Sequence, residues 1–258
     1  MRLYIKYISI HFKSQMQYKA SFFLTIIGQF LMSFTVLLGL YFMMDRFKTV
    51  GGFTLEQVFL CFAVVLMAFS LAECFARGFD LFPQMLSNGE FDRVLVRPRG
   101  IIFQVLAGKV EFSRLGRLMQ ATMVFSYAIP KSCVVWTWDK ILTLLLMVVC
   151  GMLIFFGLFL IYASFTFFTI EGLEFMNVLT DGGREFGTYP YSIYGDGILK
   201  FVTYIIPLAL FQYYPLLYLL DIKKDIFYML TPLLGLLFLV PCYLFFLFGL
   251  SRYKSTGS

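Results

Sequence analysis

Few residues in this chain are placed to do chemistry, and their spacing narrows what that chemistry could be. Glu73 and Arg77 stand four apart, the helical spacing that sets an acid beside a base, and they read as a structural ion pair at the end of an apolar run. Glu171 and Glu174 stand three apart and form a candidate carboxylate pair. Neither histidine nor arginine lies close in sequence to complete an acid–base set, so a solvated helix end is the plainer reading. The single histidine, His11, excludes a multi-histidine metal centre. Cys61, Cys74, Cys133, Cys150 and Cys242 occur singly, with no C-x-x-C pair, and four of the five lie in apolar runs. They read as small buried hydrophobes, not as a zinc site or a disulfide framework. Gly108-Lys109-Val110 lacks the upstream glycine and the hydroxyl of a phosphate-binding loop, and G-x-S-x-G, H-E-x-x-H and G-x-G-x-x-G are absent. The expectation is a chain with no catalytic residue, no metal site and no cofactor of its own.

The elements that must hold these residues are apolar. Of 258 residues, 60% are hydrophobic and 14% charged, where a soluble domain carries roughly 25% charged residues. Mean hydropathy is +0.82. The charges are segregated: stretches 21–44, 54–72, 141–170 and 226–250 hold none, or one near an end. Each is long enough to cross a hydrocarbon layer of ~30 Å as a helix. The fold expected is an all-α polytopic membrane protein, a single transmembrane domain of about six helices at 21–43, 54–75, 116–131, 140–168, 198–212 and 226–250. The 33 Phe and 16 Tyr suit lipid-facing and interfacial surfaces, as do Trp136 and Trp138 beside a span end.

Residues 1–20 are amphipathic, with Arg2, Lys6, Ser9 and Lys13 on one face and Tyr4, Ile5, Ile8 and Phe12 opposite. That pattern suits a helix lying flat in the headgroup region, its basic side toward anionic lipid; a solvated lead-in is the plainer alternative. Ser21, Thr25, Gln29 and Ser33 repeat every four residues along the first span. Such a stripe must turn toward other helices or toward a polar cavity, which makes Thr25, Gln29 and Ser33 a candidate cavity face.

No signal peptide is evident in the first 20 residues, so the N-terminus is expected to stay in the cytoplasm. Counted from there, segments on the inner side hold 15 Lys and Arg and those on the outer side hold 6, which places both termini inside. The net charge of +6 and pI near 9.0 are thereby explained by topology, with no nucleic-acid partner. Span centres read as nearly free of ionisable residues, which argues against a secondary transporter.

The longest polar region, 77–115, carries G-x-[FL]-D-x-x-L-x-R-P-x-x-x-x-x-Q at Gly89, Phe91, Asp92, Leu95, Arg97, Pro98 and Gln104. With the stretches at 183–194, 206–215 and 252–258, it resembles the permeases of ABC-2-type transporters along nearly the whole chain. The resemblance implies the membrane subunit of a bacterial exporter in the cell membrane, working as a homo- or heterodimer with cytoplasmic ATPase subunits that hold the ATP and Mg. It further implies that the loop between spans two and three carries a coupling helix seated on the ATPase, with Gln84, Gly89, Glu90, Phe91, Asp92, Arg93, Arg97 and Pro98 as its candidate residues. The residues themselves agree, because Pro83 suits the opening of a short helix and Asn88-Gly89 its end.

The resemblance also implies a broken re-entrant segment on the outside. Pro207, Tyr213, Tyr214 and Pro215 suit it as a candidate outer gate, with a simple proline kink as the alternative. Aromatic and Met side chains on the spans suit an amphipathic or hydrophobic cargo such as a drug, lipid or antimicrobial compound. A rival from another class is a polytopic enzyme acting on lipid-linked substrates, for which Glu171, Glu174, Asp181 and Glu185 would be the acids.

Overall fold

A computed structural model describes residues 2–169 and 175–253, and these are helical apart from turns, short links and one isolated bridge between Val50 and Phe53. Glu171 and Glu174, and all of the 252–258 tail beyond Tyr253, lie outside the described residues. In chain order the helices are α1 (Arg2–Gln15), α2 (Lys19–Phe47), α3 (Leu55–Asp80), α4 (Phe82–Ser87), α5 (Glu90–Leu95), α6 (Ile101–Gly108) and α7 (Leu115–Lys131). They continue as α8 (Trp138–Thr169), α9 (Phe175–Phe186), α10 (Asp196–Tyr204), α11 (Leu208–Leu219), α12 (Ile226–Gly235) and α13 (Leu239–Arg252). Four stretches are long and apolar enough to cross a membrane: Leu3–Phe47, Leu55–Ser87, Trp138–Thr169 and Ile226–Arg252. The pair α10 and α11 passes the same test only as a unit, and it is bent by 112°. At 17 residues α7 is shorter, yet within the range that spans a bilayer.

α3 is the axis of the bundle. It is apolar on every side and buried along most of its length, as a helix surrounded by others must be. Thr54 and Gln57 start it with a capping box, just after a turn in which Gly51 and Gly52 take φ of +60° and +86°. Lipid is as apolar as leucine, so burial alone cannot hold helices together in a membrane; close packing must. Small residues permit it. A methyl on Gly151 of α8 would lie 3.0 Å from Ala68 of α3, and Phe69 is wedged against Phe155 at 5.0 Å between ring centres. Gly116 lets α7 approach α2 so closely that a methyl there would overlap the Ile26 carbonyl.

α3 also serves as a ruler for depth, from the Gly51 turn at one end to α4 and α5 at the other. α9 begins within a few residues of the end of α8, whose Phe167 touches Phe82 and Phe91. By Gly187 the chain lies beside Val65 and Cys61, near the middle of α3. By Ile193 it reaches Gly51 at the far end. α10 then turns back inward until Val202, Ile206 and Leu208 meet Val178, Leu179 and Gly183 around one apolar cavity. α11 climbs out again, its Tyr218 hydroxyl donating to Asp139 at the start of α8 at 2.8 Å. The two helices therefore form a V whose point is Pro207. Pro215, read from sequence as a second break, is carried inside an unbroken α11. Packing on neighbouring helices makes an internal proline tolerable there.

α1 is separated from α2 by a single 3-10 turn at Met16–Tyr18, where Tyr18 leaves helical geometry with ψ of 70°. It lies across the base of the bundle. His11 bonds the Ala107 carbonyl at 2.9 Å, and Tyr4 packs on Phe103. Gln15 grips the backbone twice, donating to the Val110 carbonyl at 2.6 Å and accepting from the Phe112 N–H at 3.2 Å.

Gly116→Ala should lower the thermal stability of the detergent-purified protein by roughly 1–3 kcal/mol, the usual cost of overpacking. Gly28→Ala, on the exposed side of α2 where a methyl meets nothing, should leave the melting temperature unchanged or slightly higher. Equal melting of the two variants would contradict the close α2–α7 seam.

Candidate functional site

Between α3 and α6 the chain folds into a two-helix knuckle. Pro83 sits in the first turn of α4, Asn88 ends it, and Gly89 turns the chain with φ of +68° into α5. Of the residues singled out from sequence, Gln84, Glu90, Arg93, Arg97 and Pro98 are exposed on the side facing away from the bundle. Arg93 pairs with Glu90 at 3.5 Å. Phe91 points the other way and is fully buried among Phe82, Phe167 and Tyr253. Asp92 also turns inward, accepting a hydrogen bond from the Tyr253 hydroxyl at 3.0 Å. Gln104, the last residue of the pattern, donates to the carbonyls of Val94 at 3.0 Å and Arg99 at 2.9 Å, which closes the Arg97-Pro98 loop. The pattern thus encodes a rigid projection with a charged outer face.

Glu73 and Arg77 do come together, at 3.9 Å, but that contact is the weakest in a larger cluster. Glu73 is 5% exposed and takes Arg117 of the first turn of α7 at 2.6 Å and Arg114, just before that helix, at 3.2 Å. Arg77 turns instead to Asp80. The polar stripe of α2 faces this cluster. Gln29 accepts from Arg114 at 3.0 Å, and Ser33 bonds the buried amide of Gln120, while Thr25 is exposed and bonds its own helix at the Ser21 carbonyl. Arg114, Arg117 and Gln120 were not singled out from sequence. Their spacing of three, with Gln29 and Ser33 at four on α2, is the signal that two polar helix faces meet.

The 175–194 segment brings charge alongside the middle of α3. Arg184 stacks over the Phe69 ring with its guanidinium carbon 5.0 Å from the centroid and pairs with Asp181 at 3.7 Å and with Glu185. Arg184, Glu185 and Thr188 join Ser33, Arg117 and the apolar Phe62, Val65 and Leu66 around a cavity of about 150 Å³. On the outward side of α9, Asn177, Asp181 and Glu185 form an exposed polar stripe at four-residue spacing. After α9 the backbone is not helical, and Gln212 of α11 meets its need for donors. The Gln212 amide gives hydrogen bonds to the carbonyls of Gly187 at 3.1 Å and Tyr189 at 2.8 Å. At the V, Tyr214 contacts Thr203 across the bend at 3.3 Å and packs on Tyr228 of α12, with Tyr213 beside it.

Among the described residues no group of three or more His, Cys, Asp or Glu is placed to hold a metal ion. What fold and site define together is a helical, multi-pass membrane protein with a partly open cavity that charged side chains line, and a charged knuckle at one end of the bundle. The family model for ABC-2 family transporter proteins matches residues 30–257, and the chain belongs to that family. Its members are membrane permeases of ABC transporters. No curated protein and no solved structure matches the chain.

Glu73→Ala should destabilise the protein by roughly 3–5 kcal/mol, because it strands two buried guanidiniums, and adding Arg117→Ala should recover part of that loss. Thermal unfolding of the three proteins checks this. An unchanged melting temperature in Glu73→Ala would remove the cluster from the account of stability.

Proposed function

We propose that the chain is the permease subunit of an ATP-driven exporter, working as a dimer with ATP and Mg bound by separate cytoplasmic ATPase subunits. The observation that carries this reading is the polar stripe of α9 beside the Arg117–Arg184 cavity, level with the middle of α3. Charged side chains at membrane depth face a bundle interior or water, not lipid. A second permease copy, identical or related, covers the stripe and completes a path between the two chains. The apolar surround of Phe62, Val65, Leu66 and Met32 suits an amphipathic or hydrophobic cargo with a polar end.

On this reading the six crossings are α2, α3, α7, α8, the 175–194 segment, and α12 with α13. The fifth is then earlier than the 198–212 read from sequence. α9 supplies about 18 Å of it, and the turn at 187–190 with the 3-10 turn Tyr191–Tyr194 carries the chain on to Gly51 at the far end of α3. The V of α10 and α11, with Pro207 at its point and Tyr213, Tyr214 and Pro215 on its rising arm, is the outer gate. The knuckle is the ATPase-docking element, offering Gln84, Glu90, Arg93, Arg97 and Pro98. With Arg184 inside the crossing and Lys200 moved to the outer side, 13 Lys and Arg remain inside against 7 outside, which supports cytoplasmic termini and an α1 lying in the inner headgroup layer. The acids named for an enzyme reading, Asp181 and Glu185, both pair with Arg184, which leaves them poorly suited to acid–base work.

Affinity purification from gently solubilised membranes of the native cell should bring down a nucleotide-binding partner in about equal amount, and Arg97→Ala should lose it while the permease still folds. Recovery without any ATPase across several mild detergents would overturn the proposal.

A further inference from the structure

The knuckle is covalently joined to α3 and, through its following loop, to α6, yet its strongest side-chain contacts go elsewhere. Phe91 of α5 packs edge-on against Tyr253 at 5.0 Å and against Phe167 of α8 at 5.6 Å. Phe82 of α4 meets Phe167 at 5.2 Å and Phe246 of α13 at 6.1 Å. Phe246 in turn touches Phe79 at the end of α3. The rings of two short helices are thus locked between the near ends of α8 and α13. A hydrogen bond joins them as well, from the Tyr253 hydroxyl, immediately after α13, to the carboxylate of Asp92, across 161 residues of sequence.

We propose that Tyr253 is a positioning residue that makes the knuckle and α13 move as one body, so that force on the knuckle is delivered to the last crossing and not along α3 alone. This rests on the reading of the knuckle as the docking element. Close-packed rings resist being slid apart, because an interior at crystal-like density has no free volume to yield. They do not fix rotation about the contact, however. A hydrogen bond to an ionised acceptor does, since it weakens steeply when its angle opens. Asp92 and Tyr253 therefore supply direction to a contact that Phe82, Phe91, Phe167 and Phe246 supply with stiffness. Rigid-body transmission requires a contact that does not yield between its two parts, and the ring cluster with this bond is such a contact.

Spin labels at Ser87→Cys and Ser251→Cys, both exposed, report the knuckle and the end of α13 in a Cys133→Ser background of the permease–ATPase complex. The distance between them should be narrow and unchanged between nucleotide-free and vanadate-trapped states. Tyr253→Phe keeps the ring and should keep the melting temperature, but its trapped-state distance should broaden or shift by several ångström. Asp92→Asn should do the same, and the double variant no more than either. A distance that already changes between states without these substitutions, or a Tyr253→Phe trace identical to it, would overturn the inference. Failure to recover the ATPase at all would instead overturn the docking reading beneath it.

Discussion

Three arginines lie around one carboxylate at Glu73, and the arrangement of α2, α3 and α7 follows from satisfying it. In water such a cluster would be marginal, because solvent screens each pair. Among apolar helices there is no solvent to take up a stranded charge, so the acid on α3 meets Arg117 of α7 and Arg114 just before it, and Gln29 of α2 accepts a further hydrogen bond from Arg114. Gly116 then sets how near α2 and α7 can come. The wall of the polar cavity draws on the same three helices and on Arg184, Glu185 and Thr188 at the end of α9, with Arg117 serving both the ion cluster and the cavity. The stability of this end of the bundle and the chemistry of its cavity are therefore one arrangement.

The non-helical passage after α9 obeys the same rule in another form. Its carbonyls are met by Gln212, which belongs to the arm that folds back against it. The passage consequently depends on the V of α10 and α11 for two of its backbone hydrogen bonds. Arg184 sits where they meet α3, its charge spread over the Phe69 ring and two neighbouring acids. Four arginines (77, 114, 117 and 184) are paired with four acids (73, 80, 181 and 185) in this region, two of which, Asp181 and Glu185, lie on the exposed side of α9.

Much of this was legible in the sequence. The apolar runs marked the long helices because a span must be apolar over its whole length, and Pro83 with Asn88-Gly89 marked α4 because those residues suit its ends and no interior. Gln29 and Ser33 could be seen to need partners, although the partners could not be named. What stayed hidden was depth. The stretch 175–194 carries Asp181, Arg184 and Glu185, so its composition is that of a solvated loop; only contacts with Phe69, Val65 and Gly51 reveal a passage through the bundle. Composition measures what a segment would tolerate alone, and these charges are tolerated by what surrounds them. Tyr253 was hidden for a similar reason. A tyrosine after the last helix has no partner within reach in sequence, and Asp92 lies 161 residues away.

The grip of Gln15 on Val110 and Phe112 has a consequence for how the chain is made. Its two bonds close loops of 95 and 97 residues, so α1 emerges from the ribosome long before its binding site exists. With domains synthesised at about 5–20 residues per second, that interval lasts several seconds. Throughout it, the carbonyl of Val110 and the N–H of Phe112 that Gln15 holds are not yet in place. Docking of α1 is thus a late event in assembly, completed after α6 and the turn leading into α7 are in place.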